Sequence, residues 1–87
     1  MNIEDLTQIV NKYDLLGFIE GGAPDDEYQP EIADIFVALR KKSMDETELV
    51  EKMKEIFTRW FNASTANSIS AEVYKNLAHE ILTEWKR

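Results

Sequence analysis

The sequence predicts a single all-α domain of four helices, with a long ordered loop between helices 1 and 2. Apolar residues recur at the three-to-four-residue spacing of helices in four separate segments, and no segment alternates in the way of a half-buried strand. The length of 87 residues suits one domain, residues 1–87. A content of 44% hydrophobic and 31% charged residues is that of a chain that folds.

The first helix is predicted over residues 3–14, with Asn2 as its N-terminal cap. The segment 14–29 that follows shows no sustained period and contains Gly21, Gly22 and Pro24 as turn signals, so we predict a loop there. Four apolar residues lie in its first half and predict that this half packs on the core: Leu15, Leu16, Phe18 and Ile19.

The second helix is predicted to begin at Pro30, whose fixed φ suits a first helical turn, and to end near residues 40–42, where cations favour a helix C-terminus. The third helix has the strongest pattern. Asp45 and Glu48 form a variant of the capping box, and six large apolar residues then share a face. These are Leu49, Met53, Ile56, Phe57, Trp60 and Phe61.

Residues 62–68 are small and polar, which predicts a connection without helix. Ser70 then suits the cap of the fourth helix. Val73, Leu77, Ile81 and Trp85 supply its apolar face. Which helix packs on which is left open by the pattern.

Composition excludes several classes of function. The absence of cysteine rules out disulfides, thiolate metal sites and cysteine nucleophiles. The polar, acidic N-terminus lacks the pattern of a secretory signal, which predicts a cytoplasmic protein. No apolar run approaches the roughly 20 residues of a membrane span. A net charge of −7 disfavours nucleic acid and anionic membranes as ligands and favours a basic protein.

The most unusual local feature is a cluster of seven acids within 21 residues that contain no Lys or Arg. Its members are Asp14, Glu20, Asp25, Asp26, Glu27, Glu31 and Asp34. Concentrated charge of one sign accelerates association with partners of the other sign, so the cluster predicts a docking surface. The competing interpretation is a solvated loop whose acids favour the N-terminus of helix 2.

The same acids leave open one alternative of another class, a small metal-dependent or acid–base enzyme. Carboxylates suit calcium or magnesium, but Gly21 and Gly22 precede the acids, unlike the glycine inside an EF-hand loop. His79 is the only histidine, and no nucleophile or phosphate-binding motif accompanies it. We therefore predict no catalytic residue, no metal site and no cofactor, and we interpret His79 as a partly exposed structural residue.

The aromatic residues of helices 3 and 4 have two interpretations. Phe57, Trp60, Phe61 and Trp85 resemble the anchors of an interaction surface, because aromatic residues are enriched at interface hot spots. At helical spacing in so short a chain they are more typical of a core. The apolar faces of helices 3 and 4 are also wide enough for a homodimer.

The loop resembles the signature of a family of small bacterial helical proteins. The resemblance is carried by Tyr13-Asp14, by Leu16-Gly17 and by the run Gly-Ala-Pro-Asp-Asp-Glu-Tyr at residues 22–28. A similar loop occurs in some immunity proteins of bacterial toxin systems, although those loops carry Pro after the first Asp where this chain has Leu15. The resemblance implies an all-α intracellular fold of unknown function, for which toxin neutralisation is one alternative, and it gives no residue a catalytic role.

Together these patterns predict a non-catalytic, immunity-like protein-binding module that docks a basic partner through the 20–31 loop. The residues predicted to contact the partner are Glu20, Asp25, Asp26, Glu27, Tyr28 and Glu31. A homodimer through helices 3 and 4, and a small metal-dependent enzyme that uses the acidic loop, remain as alternatives. The loop motif also suits a purely structural role, with Gly21 and Gly22 serving backbone geometry and Tyr28 serving packing.

Overall fold

A computed structural model describes residues 1–24 and 26–86 of the chain, and this part is all-helical. It contains α1 (Ile3–Tyr13), α2 (Gln29–Lys41), α3 (Glu46–Trp60), α4 (Ala63–Ser68) and α5 (Ala71–Trp85). The four long helices form a closed ring in which each contacts two others, in the order α1, α2, α3, α5. The predicted fold class is therefore confirmed. No helix among the described residues is long and apolar enough to cross a membrane.

The helix starts follow the predicted caps. The Asn2 side chain accepts a hydrogen bond from the backbone N–H of Asp5 at 2.9 Å, and the Ser70 hydroxyl accepts one from Val73 at 3.1 Å. Asp45 accepts from the N–H of Glu48 at 2.8 Å, which completes the predicted capping box. Satisfying these otherwise unpaired N–H groups fixes where the chain enters each helix.

One prediction about the connections was wrong, because residues 63–68 form the short helix α4. Asn62 caps it by accepting a hydrogen bond from the N–H of Thr65 at 2.7 Å. Its other end is held from α5, where the buried Tyr74 hydroxyl donates to the carbonyl of Ala66 at 2.8 Å. A helix this short is marginal on its own, so tertiary contacts of this kind stabilise it.

The Tyr74→Phe substitution tests how α4 is held. Loss of the hydroxyl leaves the Ala66 carbonyl without this buried donor, so we expect the free energy of unfolding to fall by about 1–2 kcal/mol in urea denaturation. Tyr13→Phe is the control, because the Tyr13 hydroxyl bonds to Glu80 in a less buried setting and its loss should cost less. A Tyr74→Phe variant as stable as the wild type would show that this hydrogen bond does not hold α4.

The core fills the space inside the ring. Leu6 and Val10 of α1, Ile32 and Ile35 of α2, and Leu49, Met53 and Phe57 of α3 are all fully buried, as are Leu77 and Ile81 of α5. Leu15, Leu16, Phe18 and Ile19 pack against this core from the loop, as predicted. The helix predicted as the fourth is α5, and, apart from Trp60, the apolar faces of α3 and α5 are covered or partly covered within one chain.

Candidate protein-binding surface

The loop between α1 and α2 is organised by Asp14, at the end of α1. Its backbone takes a left-handed conformation (φ 48°), and its N–H donates to the carbonyl of Val10 at 3.0 Å. The carboxylate then accepts hydrogen bonds from the N–H groups of Ile19 at 3.1 Å and Glu20 at 2.9 Å. Asp14 therefore ends the helix and turns the following residues back onto it.

Tyr28 closes the loop from its other end. Its ring is fully buried, and its hydroxyl donates to the Asp14 carboxylate at 2.6 Å and accepts from the N–H of Leu16 at 3.0 Å. Burial, together with the hydrogen bond to Asp14, raises the pKa of Tyr28 to about 12. Tyr28 is thus a neutral hydrogen-bond donor over the whole physiological range.

Asp14 is the charged member of this pair. Burial favours a higher pKa for its carboxyl group, but hydrogen bonds from Tyr28 and from the backbone of Glu20 and Ile19 outweigh burial and lower the pKa below its ordinary value. Asp14 therefore remains ionised at neutral pH and holds the loop as a carboxylate.

The remaining residues of the loop motif shape the backbone. Gly17 and Gly22 have φ of +73° and +97°, values that residues with a side chain rarely adopt. Phe18 stacks on Tyr28 with ring centroids 5.6 Å apart, and it also contacts Phe61 at 5.8 Å. The motif that carries the resemblance thus builds a fixed loop, which supports its structural interpretation.

The structure separates the seven clustered acids into different groups. Glu20, Asp26 and Glu27 are exposed, and their carboxylates make no ion pair or hydrogen bond with the described residues. Asp14 is committed to the loop, and Asp25 lies outside the described residues. We call Glu20, Asp26 and Glu27 the acidic surface, because they are the predicted site residues that a partner can reach.

Two predicted site residues do not belong to this surface. Tyr28 is fully buried, because its ring packs on Phe18 and its hydroxyl is occupied inside the loop. Glu31 is 2% exposed, because α2 turns it inward, and its Oε1 atom has no hydrogen-bond partner. Their assignment to an accessible docking surface is therefore corrected.

The environment of Glu31 also shifts its protonation. Burial raises the pKa of Glu31 above its ordinary value, and the negative charges of Asp34 and Glu27 act in the same direction. Its own backbone N–H opposes the shift by hydrogen bonding. Glu31 is therefore a buried acid whose charged form is poorly stabilised.

Asp34 joins α2 to α3 instead of extending the acidic surface. Its carboxylate accepts a hydrogen bond from the Trp60 indole N–H at 2.7 Å and one from Arg59 at 3.4 Å. Trp60 itself is 48% exposed, so its prediction as a core residue was wrong. Phe57 lies in the core, while Phe61 and Trp85 pack against it partly buried.

Two alternatives were left open by the sequence, a metal-dependent enzyme and a homodimer through helices 3 and 4, and the structure has features that bear on each. Among residues 1–24 and 26–86, no three Asp, Glu or His side chains lie close enough together to hold a metal ion. His79 is exposed, with its Nδ1 atom 2.9 Å from a carboxylate oxygen of Glu46. The apolar faces of α3 and α5 contact each other inside the chain and leave little apolar area there for a second copy.

Comparison with known proteins adds no family to this description. No family model, no curated protein and no solved structure matches the chain. The site is therefore interpreted from its own geometry.

Sequence reasoning missed two features of this region. Asp14 was counted as one acid among seven, although a residue that follows a helix and precedes a glycine-rich turn is well placed to close that helix. Trp60 was assigned to the core by its helical spacing, and only the packing shows that it lies at the edge of α3 beside α2. No local pattern distinguishes the edge of an apolar face from its centre.

Proposed function

We propose that the protein is a non-catalytic binding module whose acidic surface docks a basic protein. The observation that carries this proposal is the exposure of three unpaired carboxylates, those of Glu20, Asp26 and Glu27, on a loop fixed by hydrogen bonds. A fixed loop loses little conformational entropy on binding, and its charges are already in place for a cationic partner.

The distribution of charge along the whole chain supports the same proposal. Residues 1–39 contain nine acids and a single basic residue, Lys12, whereas residues 40–87 contain eight acids and nine Lys or Arg. Lys12 is itself paired with Glu80 of α5. The N-terminal part of the chain therefore presents a negative field with little compensation, which favours encounter with a basic partner.

The resemblance of the loop motif to that of immunity proteins names the class of partner to test first. A basic bacterial toxin fits the charge of the acidic surface, and binding would neutralise the toxin by covering its cationic surface. In this proposal the protein acts inside the cell and needs no cofactor.

The test is affinity capture from a lysate of the native host with the wild type and two triple variants. One variant reverses the acidic surface (Glu20→Lys, Asp26→Lys, Glu27→Lys). The matched control reverses three exposed acids elsewhere, namely Glu4, Glu51 and Glu72. Each variant adds six positive charges to −7 and so has the same formal net charge of −1.

We expect the surface variant to lose at least about tenfold in affinity for the captured protein, and the control variant to retain most of it. Binding of the wild type should weaken when the ionic strength rises from about 0.1 M to about 1 M, because the Debye length falls from about 10 Å to about 3 Å. A partner that binds the surface variant as tightly as the wild type would refute the proposal.

A further inference from the structure

A groove of about 370 Å³ lies between α2 and α3, and none of the three residues of the acidic surface lines it. Cationic side chains line it from both helices and from the residue after α2: Lys41, Lys42, Lys52 and Arg59. Val37 supplies exposed apolar surface between them, and the buried Met44 and Ile56 lie beneath it. The groove thus combines an apolar floor with a cationic rim, the reverse in sign of the acidic loop.

One exposed apolar side chain lines this groove, and a second is exposed beside it. Among the described residues, three large hydrophobic residues are exposed, namely Ile3, Val37 and Trp60. Val37 and Trp60 are each 48% exposed, and Val37 lines the groove. Trp60 does not line the groove but lies beside it, because its indole N–H donates to the carboxylate of Asp34, a lining residue. An exposed Trp beside Arg and an aliphatic residue has the composition of an interface hot spot.

The cations differ in how far they are already neutralised. Lys42 pairs with Glu48 at 2.6 Å, and Lys52 pairs with Glu55 at 3.4 Å. Arg59 pairs with both Glu55 at 3.2 Å and Asp34 at 3.4 Å. Lys41 is exposed and makes no ion pair with the described residues. Lys41 therefore leaves a positive charge beside Val37, one helical turn away, for an anionic group of a partner.

We propose that this groove binds an acidic amphipathic helix of a partner protein. The apolar face of that helix would pack on Val37 and on the neighbouring Trp60, and a carboxylate of the helix would lie beside Lys41. Helices of this kind bind grooves between two helices by spacing their apolar anchors at three and four residues. The inference goes beyond the proposed function, since it concerns a second surface with a partner of opposite charge.

Two other occupants fit the groove less well. The acidic loop of a second copy offers charge, but its Phe18 is stacked on Tyr28 and its other apolar residues pack on the core, so it has no free anchor for Trp60. Nucleic acid requires strong net positive charge, whereas the chain has a net charge of −7 and several groove cations are already paired.

The probe is a helical peptide of Glu, Ala and Leu with its leucines on one face, titrated into the ¹⁵N-labelled full chain and followed by NMR. A scrambled peptide keeps the composition without the apolar face. The groove variant is Val37→Gln with Lys41→Glu. The matched control, Ile3→Gln with Lys75→Glu, changes an exposed aliphatic residue and an exposed lysine away from the groove.

We expect the amphipathic peptide to shift the amides of Val37 and Lys41 and the indole N–H of Trp60. Affinity should fall about tenfold or more in the groove variant and stay within about twofold in the control. Equal binding of the scrambled peptide, shifts centred elsewhere, or no binding at millimolar peptide would each overturn the proposal. Concentration-dependent dimerisation through the groove without peptide would assign it to a second copy instead. The acidic surface is intact in both variants, so these outcomes are independent of the proposed function.

Discussion

Replacing Asp14 with Ala is expected to lower the free energy of unfolding by about 3 kcal/mol. The substitution removes the carboxylate that accepts three hydrogen bonds, from Ile19, Glu20 and Tyr28. The buried Tyr28 hydroxyl then loses its hydrogen-bond acceptor. Alanine also tolerates the left-handed backbone at this position poorly, which adds about 1 kcal/mol. Urea denaturation followed by circular dichroism measures the loss.

Two further single variants and one double variant separate the loss of hydrogen bonds from the backbone strain. Asp14→Gly relieves the backbone strain without restoring the carboxylate, so its stability should lie between those of Asp14→Ala and the wild type. Tyr28→Phe should cost about 1–2 kcal/mol, and the double variant with Asp14→Ala should cost less than the sum because the two residues share a bond. Additive losses, or unchanged hydrogen exchange at Ile19 and Glu20, would show that Asp14 does not organise the loop.

The four long helices could be predicted because each combines a local signal for its start with an apolar helical period; in α2 the start signal is Pro30, and in the other three it is a cap. Caps at Asn2, Asp45 and Ser70 are side-chain to backbone hydrogen bonds within four residues, so the sequence alone contains both partners. The apolar spacing then gives the buried face. α4 lacked the second signal, because six residues are too few for a period, and its anchor on Tyr74 is a tertiary contact.

The candidate site was predictable as a charge cluster and not as a surface. The sequence shows seven acids, but the burial of each side chain decides which of them a partner can reach. For the acids of α2, burial depends on which face of that helix turns toward the core. Glu31 illustrates this dependence. Its place in the first turn of α2 suggested an exposed acid that favours the helix dipole, whereas the fold encloses it.

The Asp14–Tyr28 pair explains why the loop motif is informative about structure. The two residues lie 14 positions apart, and Gly17 and Gly22 between them adopt the left-handed conformations that the loop needs to bring them together. The motif holds the backbone of the loop in one conformation. Three exposed residues of that loop are available for binding: Glu20, Asp26 and Glu27. Binding specificity and loop stability should therefore respond to different substitutions.

Replacing Glu31 with Gln is expected to stabilise the protein at neutral pH by about 1–2 kcal/mol. The substitution removes a buried charge whose Oε1 atom has no hydrogen-bond partner and which lies near Asp34 and Glu27. Because burial raises the pKa of Glu31 in the folded state, the folded protein binds this proton more tightly than the unfolded chain does. Its contribution to stability is thus fully present at pH values below the ordinary pKa of 4.5 and is lost as the pH rises through the folded-state value.

The difference between Glu31→Gln and the wild type should accordingly be small near pH 4, grow as the pH rises through the folded-state pKa, and then stay constant. Urea denaturation across this range measures it, with Glu20→Gln, at an exposed position in the loop, as the control variant. The opposite result would be a Glu31→Gln variant that is less stable than the wild type, most of all at neutral pH. It would mean that a hydrogen-bond donor or a cation stabilises the Glu31 carboxylate. That result would make Glu31 a structural anion like Asp14, whose lowered pKa gives stability that is present at neutral pH and is lost on acidification.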